Sequence, residues 1–230
     1  RKLYFSNPVL DSFYSGNNVN EQVVGLRQNY YAWEWGDALF VVLDPFWYSA
    51  IKSEWGFSLG KEQYDWFKDV VSISSAKFKF VFCHNLVGGN GSDMRGGAEF
   101  AYLYEMGGYN LDGIWGFDTY RPGWGKPLHT IMKENNVTVF FHGHDHFYGK
   151  QEKDGIIYQE VPQPSNRSIT NISASDYGYV DGVLLPGRGY LLVTVSGQDV
   201  NVEYIGTFLT GEENASRKNA TVIDSYTIYK

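Results

Sequence analysis

The stretch Val137-Thr-Val-Phe-Phe-His-Gly-His-Asp-His-Phe-Tyr-Gly149 joins a short apolar run to three of the chain's five histidines. Val, Phe and Thr in a run of five bounded by polar residues read as a buried strand. The histidines then fall just past its carboxyl end. Two other runs repeat the pattern. Ala38-Leu-Phe-Val-Val-Leu43 ends at Asp44-Pro45, and Phe78-Lys-Phe-Val-Phe-Cys83 ends at His84. Helical periodicity lies between them. Leu59 to about Ser74 places Trp66, Phe67, Val70 and Val71 on one stripe, with Ser58 as N-cap. Pro127–Asn135 places Leu128, Ile131 and Met132 on one face. Strands alternating with helices define an α/β fold, and in open α/β sheets ligands collect beyond the strands' carboxyl ends. Asp44, His84 and residues 142–146 all sit there.

The tail has a different rhythm. Ile156–Val161, Gly189–Val195, Val200–Gly206 and Thr221–Tyr229 read as strands without long helices between them, with a hairpin turn at Ser196–Asp199. A second, mostly antiparallel sheet is expected from these four. Between His84 and the helix near Pro127, residues 85–125 hold eleven glycines, eight aromatics and two arginines, Arg95 and Arg121. A long aperiodic connection rich in aromatics is expected to be a loop that covers an active site. The whole chain, 1–230, reads as one domain.

Composition narrows the function. The net charge is −7 and the pI about 5.2, which argues against a general nucleic-acid backbone binder. No apolar run is long enough to span a membrane, and no signal peptide is evident. The single Cys83 excludes an internal disulfide and a cysteine-rich zinc site, so any metal must be held by His, Asp, Glu or Asn. Six Asn-x-Ser/Thr sequences, at Asn90, Asn136, Asn166, Asn171, Asn214 and Asn219, are compatible with an exported or cell-surface protein.

His129, on a helix, reads as a hydrogen-bonded structural residue. His144 and His146, two apart in what reads as an extended segment, should point to one side, with Gly143 allowing the sharp turn after the strand. Neutral imidazole is the commonest metal-binding side chain near neutral pH. His142 is expected to point into the fold and to support the ligands from behind.

Gly143-His144-Asp145-His146 after an apolar strand resembles the GHxH metal motif of the calcineurin-like metallophosphoesterases. Cys83-His84-Asn85, one strand earlier, resembles that family's preceding single-histidine motif. The resemblance covers about Tyr30 to Tyr229. It implies a two-sheet sandwich flanked by helices, with two divalent ions (Fe, Mn, Zn or Ni) at the strand ends. His84 and His144 would bind one ion and His146 the other. Two such ions acidify a bridging water and clamp phosphoryl oxygens for hydrolysis of a phosphomonoester or phosphodiester. Arg95 and Arg121 are candidates for binding the phosphate of a small-molecule substrate.

The family's DxH, GDxxD and GNH[DE] motifs do not occur in the 230 residues. Asp44 is expected near the site without bridging the metals. The chain therefore resembles the C-terminal two-thirds of such an enzyme, lacking its N-terminal strands. It is expected to need an upstream segment or another subunit for the bridging ligands, to bind at most one ion tightly by itself and to be nearly inactive alone. Two other readings stay open. One is a non-catalytic binding domain built on the aromatic loop. The other is a mononuclear zinc hydrolase using His84, His144 and His146.

Overall fold

In the computed structural model, residues 4, 6–23, 25–47, 54–166, 170 and 172–230 are described. Asn171, one of the six Asn-x-Ser/Thr positions, lies outside them. The strands are β1 (Ser15–Gly16), β2 (Asn20–Glu21), β3 (Gly25–Leu26), β4 (Tyr31–Trp35), β5 (Ala38–Val42), β6 (Phe78–Phe82), β7 (Val139–His142), β8 (Tyr148–Lys153), β9 (Ile156–Glu160), β10 (Val183–Leu185), β11 (Gly189–Val195), β12 (Asp199–Gly206) and β13 (Thr221–Tyr229). The helices are α1 (Lys61–Ile73), α2 (Tyr104–Gly107), α3 (Phe117–Tyr120) and α4 (Leu128–Glu134). None is long and apolar enough to cross a membrane.

Eight strands form one sheet in the order β1-β4-β5-β6-β7-β9-β8-β10. Its centre, β5-β6-β7-β9, is parallel, and antiparallel pairs flank it on both sides. Three more strands, β11-β12-β13, make a second, antiparallel sheet.

The two-residue period of a strand explains the layers. Val81, Phe140 and Tyr158 face one way, into a core shared with Tyr64, Phe67 and Val71 of α1 and Leu128, Ile131 and Met132 of α4. Phe80, Val139, Phe141 and Ile157 face the other way and pack on Val200 and Val202 of β12. Because both faces of the central strands are covered, their sequences are apolar almost throughout, as buried parallel strands require. The architecture is a two-sheet sandwich flanked by helices.

Two expectations about this frame need correction. Residues 156–160 belong to the large sheet and run parallel to β7, not to the second sheet. Their apolar run matches either placement, and only the neighbour strand decides it. Ser58 is not the N-cap of α1. Gly60 holds that position with φ 78°, and Ser58 Oγ instead accepts the Gly60 N–H at 2.9 Å. The left-handed backbone and the Trp47 ring, which a Cβ on Gly60 would meet at 2.7 Å, both select glycine there.

The 85–125 connection is not a simple covering loop. Leu86, Val87, Ala98, Ala101, Leu103, Tyr104, Met106 and Phe117 are buried in the helix-side core, and a short 3-10 turn, α2 and α3 lie within it. Its glycines hide this order from a periodicity reading by breaking the chain into one-turn pieces.

Arg121 fastens this segment. Its Nε donates to Glu105 at 2.6 Å, and Nη2 donates to the carbonyls of Trp55 and Phe57 at 2.6 and 3.3 Å. Glu105 is completely buried and also accepts the Leu59 N–H. Burial raises the Glu105 carboxyl above the usual range, and the Arg121 charge opposes that rise. Removing one partner of such a pair leaves an uncompensated charge. Arg121→Ala is therefore expected to destabilise the fold by about 3–5 kcal/mol. Denaturant unfolding measures this, and a loss under about 1 kcal/mol would contradict the buried-pair account.

Candidate metal centre

The parallel ladder brings two strand ends together. Cys83 N–H donates to Phe141 at 3.0 Å, and Gly143 N–H donates to the His84 carbonyl at 2.8 Å. His84 after β6 is thereby fixed beside the turn that follows β7. The ends of β5, β6 and β7, with Val161, bound an open hollow of about 240 Å³.

Across this register, His84 Nε2 lies 3.2 Å from His144 Nδ1. The other nitrogen of His144, Nε2, is 2.7 Å from the Asp93 carbonyl. A carbonyl can only accept, so that nitrogen carries the proton and Nδ1 of a neutral ring presents its lone pair to His84. Burial, then the neighbouring imidazoles of His144 and His146, hold His84 below the ordinary imidazole range. For His84 this favours the neutral ring, the form that binds a metal.

The backbone of the turn differs from the extended segment expected. His144 and His146 have φ of 88° and 67°, both left-handed. Gly143 does not, and a Cβ there would meet nothing nearer than the His84 carbonyl oxygen at 3.7 Å. The two histidines are therefore placed by strained backbone rather than by strand alternation.

What holds the turn lies beneath it. Asp145 is buried. Its Oδ1 accepts from Arg95 Nη1 at 3.0 Å, and its Oδ2 accepts from the Gly96 N–H and the Tyr179 hydroxyl, both at 2.9 Å. Glu160, at the end of β9, accepts the N–H groups of Asp145 and His146 through Oε1. Its Oε2 lies 2.9 Å from Nδ1 of the buried His142, close but not aligned as a hydrogen bond. Burial pushes the Glu160 carboxyl up to about 7, against the lowering effect of His142.

The remaining expected residues fall as follows. His146 is near enough to bias His84 electrostatically. Arg95 stacks over the Tyr177 ring at 4.1 Å, reaches the His144 carbonyl at 3.3 Å, and keeps 28% of its side chain exposed. Arg121 sits in the buried ion pair described above. Asp44 accepts from the Asn29 side chain and the Phe46 N–H, and lies 3.8 Å from Arg27. His129 bridges the Tyr158 hydroxyl at 2.6 Å and Asp154 at 2.8 Å.

Glu160, Tyr179 and the Asp93 carbonyl were not legible as site residues. Glu160 alone left a trace, as the one acid within the Ile156–Val161 run.

The pair fits two ligands of a single ion. In a tetrahedral site with nitrogens at roughly 2.0–2.1 Å, neighbouring nitrogens stand roughly 3.3 Å apart, close to the 3.2 Å seen here. It does not make a complete two-ion centre. Among the described residues, no three His, Cys, Asp or Glu are grouped to hold a metal.

No protein-family description matches the chain, and no curated protein matches it in sequence. Solved structures are similar in fold. PhoD has a TM-score of 0.55 at 16% identity, over 87% of this chain and 42% of PhoD. The purple acid phosphatase PPD1 from yellow lupin (Lupinus luteus) seeds has 0.50 at 14%, over 88% of this chain and 33% of that one. GAP50, the anchor in the inner membrane complex of Plasmodium, has 0.48 at 13%, over 84% and 49%. The chain thus spans a third to a half of the length of these structures. Its fold is that of the metallophosphoesterases.

Gly143→Ala is expected to change stability by less than about 1 kcal/mol, because the backbone there is not left-handed and the added methyl finds room. Equilibrium unfolding checks it. A loss above about 3 kcal/mol would mean that Gly143 carries the turn after all.

Proposed function

We propose that the chain is the histidine-bearing part of a metal-dependent phosphoester hydrolase. The observation that carries the reading is the His84–His144 pair, two imidazole nitrogens 3.2 Å apart at adjacent parallel strand ends, with the second nitrogen of His144 tied to a backbone carbonyl. Such a carbonyl partner on a ligating histidine fixes the tautomer and strengthens the ligand. The metallophosphoesterase fold supports the same reading.

On this proposal His84 and His144 hold one divalent ion, Fe, Mn, Zn or Ni. His146 serves a second ion, together with carboxylate and amide ligands from an upstream segment or another subunit. When bound, such ions activate water and neutralise phosphoryl charge. The part of this chain's own residues is to hold the imidazoles in place and aimed. Arg95, partly exposed beside His144, is the arginine proposed to meet a small phosphoester substrate. Arg121 has no part in this, because its guanidinium is taken up by Glu105 and three carbonyls.

A second reading is a non-catalytic member of the fold. It is favoured by the lack, among the described residues, of any group of three potential ligands.

The test uses the full-length protein. Metal content is measured together with hydrolysis of a chromogenic phosphomonoester and phosphodiester. His84→Ala and His144→Ala should each abolish hydrolysis and weaken Zn²⁺ binding at least about 100-fold, since each removes a direct ligand. Zinc binding should also weaken as pH falls below about 6.5, where imidazole ligands begin to take up protons. Metal binding and hydrolysis unchanged in both variants would refute the proposal. Metal binding without hydrolysis of either substrate would favour the non-catalytic reading.

A further inference from the structure

Glu160 is completely buried, yet it touches both ends of the histidine turn. The β7–β9 register sets it directly opposite His142, and the β8–β9 register sets Gly149 opposite it from the other side. A Cβ on Gly149 would come within 3.2 Å of the Glu160 Cβ, so the carboxylate has a tailored slot. From that slot Oε1 accepts the N–H of Asp145 at 3.0 Å and of His146 at 3.1 Å. Oε2 lies 2.9 Å from His142 Nδ1. One side chain thus spans residues 142, 145 and 146.

The turn needs such support. Two non-glycine residues in the left-handed region cost on the order of 1–3 kcal/mol each, and they persist only when surrounding contacts over-determine them. An apolar residue at 160 would leave the buried Asp145 N–H and the part-buried His146 N–H without this acceptor, each a further cost.

We propose that Glu160 is the positioning residue of the metal centre: its carboxylate clamps the 142–146 turn into the shape that sets His144 against His84 and aims His146. This rests on the metal-binding reading above. It adds that the aim of the ligands is set from beneath, by a residue that need touch neither metal nor substrate.

The experiment compares the encoded protein with Glu160→Ala, Glu160→Gln and a control, Val200→Ala, which disturbs the opposite, second-sheet core. Co²⁺ affinity is titrated by absorption, exchange of the Asp145 and His146 amides is followed, and thermal midpoints are recorded. Glu160→Ala should weaken Co²⁺ binding roughly 10–100-fold, the range for lost outer support of a ligand. It should also speed exchange at the two amides. Glu160→Gln retains a carbonyl oxygen for both N–H groups and should keep affinity within about threefold. Val200→Ala should lower the midpoint and leave affinity unchanged.

The proposal is overturned if folded Glu160→Ala binds Co²⁺ as the parent does, or if Val200→Ala weakens binding equally. Should Glu160→Ala fail to fold, Glu160→Gln decides: retained affinity with protected amides supports the clamp, and a loss above about tenfold with amides still protected overturns it. A parent protein that binds no Co²⁺ fails the metal reading itself, a result distinct from parent and Glu160→Ala binding alike.

Discussion

The site depends on the register between β6 and β7. Two backbone hydrogen bonds, Cys83 to Phe141 and Gly143 to His84, lock the ends of these strands side by side. A slip of one residue would turn His84 to the other face of the sheet. It would also exchange Phe80, which belongs to the second-sheet core, with Val81, which belongs to the helix-side core. The packing of two distinct cores therefore enforces the geometry of the histidines. Fold stability and ligand placement are one constraint at this point.

Around that register the chain places charges that only their neighbours make tolerable. Glu105 is answered by Arg121, Asp145 by Arg95 with the Gly96 N–H and the Tyr179 hydroxyl, and Glu160 by two backbone N–H groups with His142 close by. A buried carboxylate without such partners is strongly disfavoured. The first of these clusters ties the 85–125 segment to the body of the protein. The other two act on the histidine turn itself. Residues 93–96 thus touch the site from above through the Asp93 carbonyl and Arg95, while Leu86, Val87, Ala101, Leu103, Tyr104, Met106 and Phe117 of that segment work as core.

Much of this was legible in the sequence, for definite reasons. The runs at 38–43, 78–83 and 137–141 are apolar because the strands are covered on both faces, so they stand out by composition alone. The helix over residues 61–73 shows its stripe, and the β11, β12 and β13 strands show their alternation. What stayed hidden was non-local. Nothing local distinguishes a β9 that pairs with β7 from one that joins the second sheet. The left-handed backbone at His144 and His146 has no local mark in the sequence, and Glu160, which accepts from the Asp145 and His146 N–H groups, lies fourteen residues beyond His146. Arg121 read as a candidate phosphate ligand because its partner, Glu105, lies in a stretch without periodicity. The resemblance to the metallophosphoesterases identified the fold correctly from two short motifs, since those motifs mark strand ends and strand ends are what the fold aligns.

The central claim is that His84 and His144 share one divalent ion. The most direct test is a crystal structure of the zinc-soaked protein with anomalous diffraction at the zinc edge. The account predicts a zinc peak between His84 Nε2 and His144 Nδ1, at roughly 2.0–2.1 Å from each, with His144 Nε2 still bonded to the Asp93 carbonyl. Zinc bound elsewhere, with the two imidazoles left joined by a proton, would contradict it.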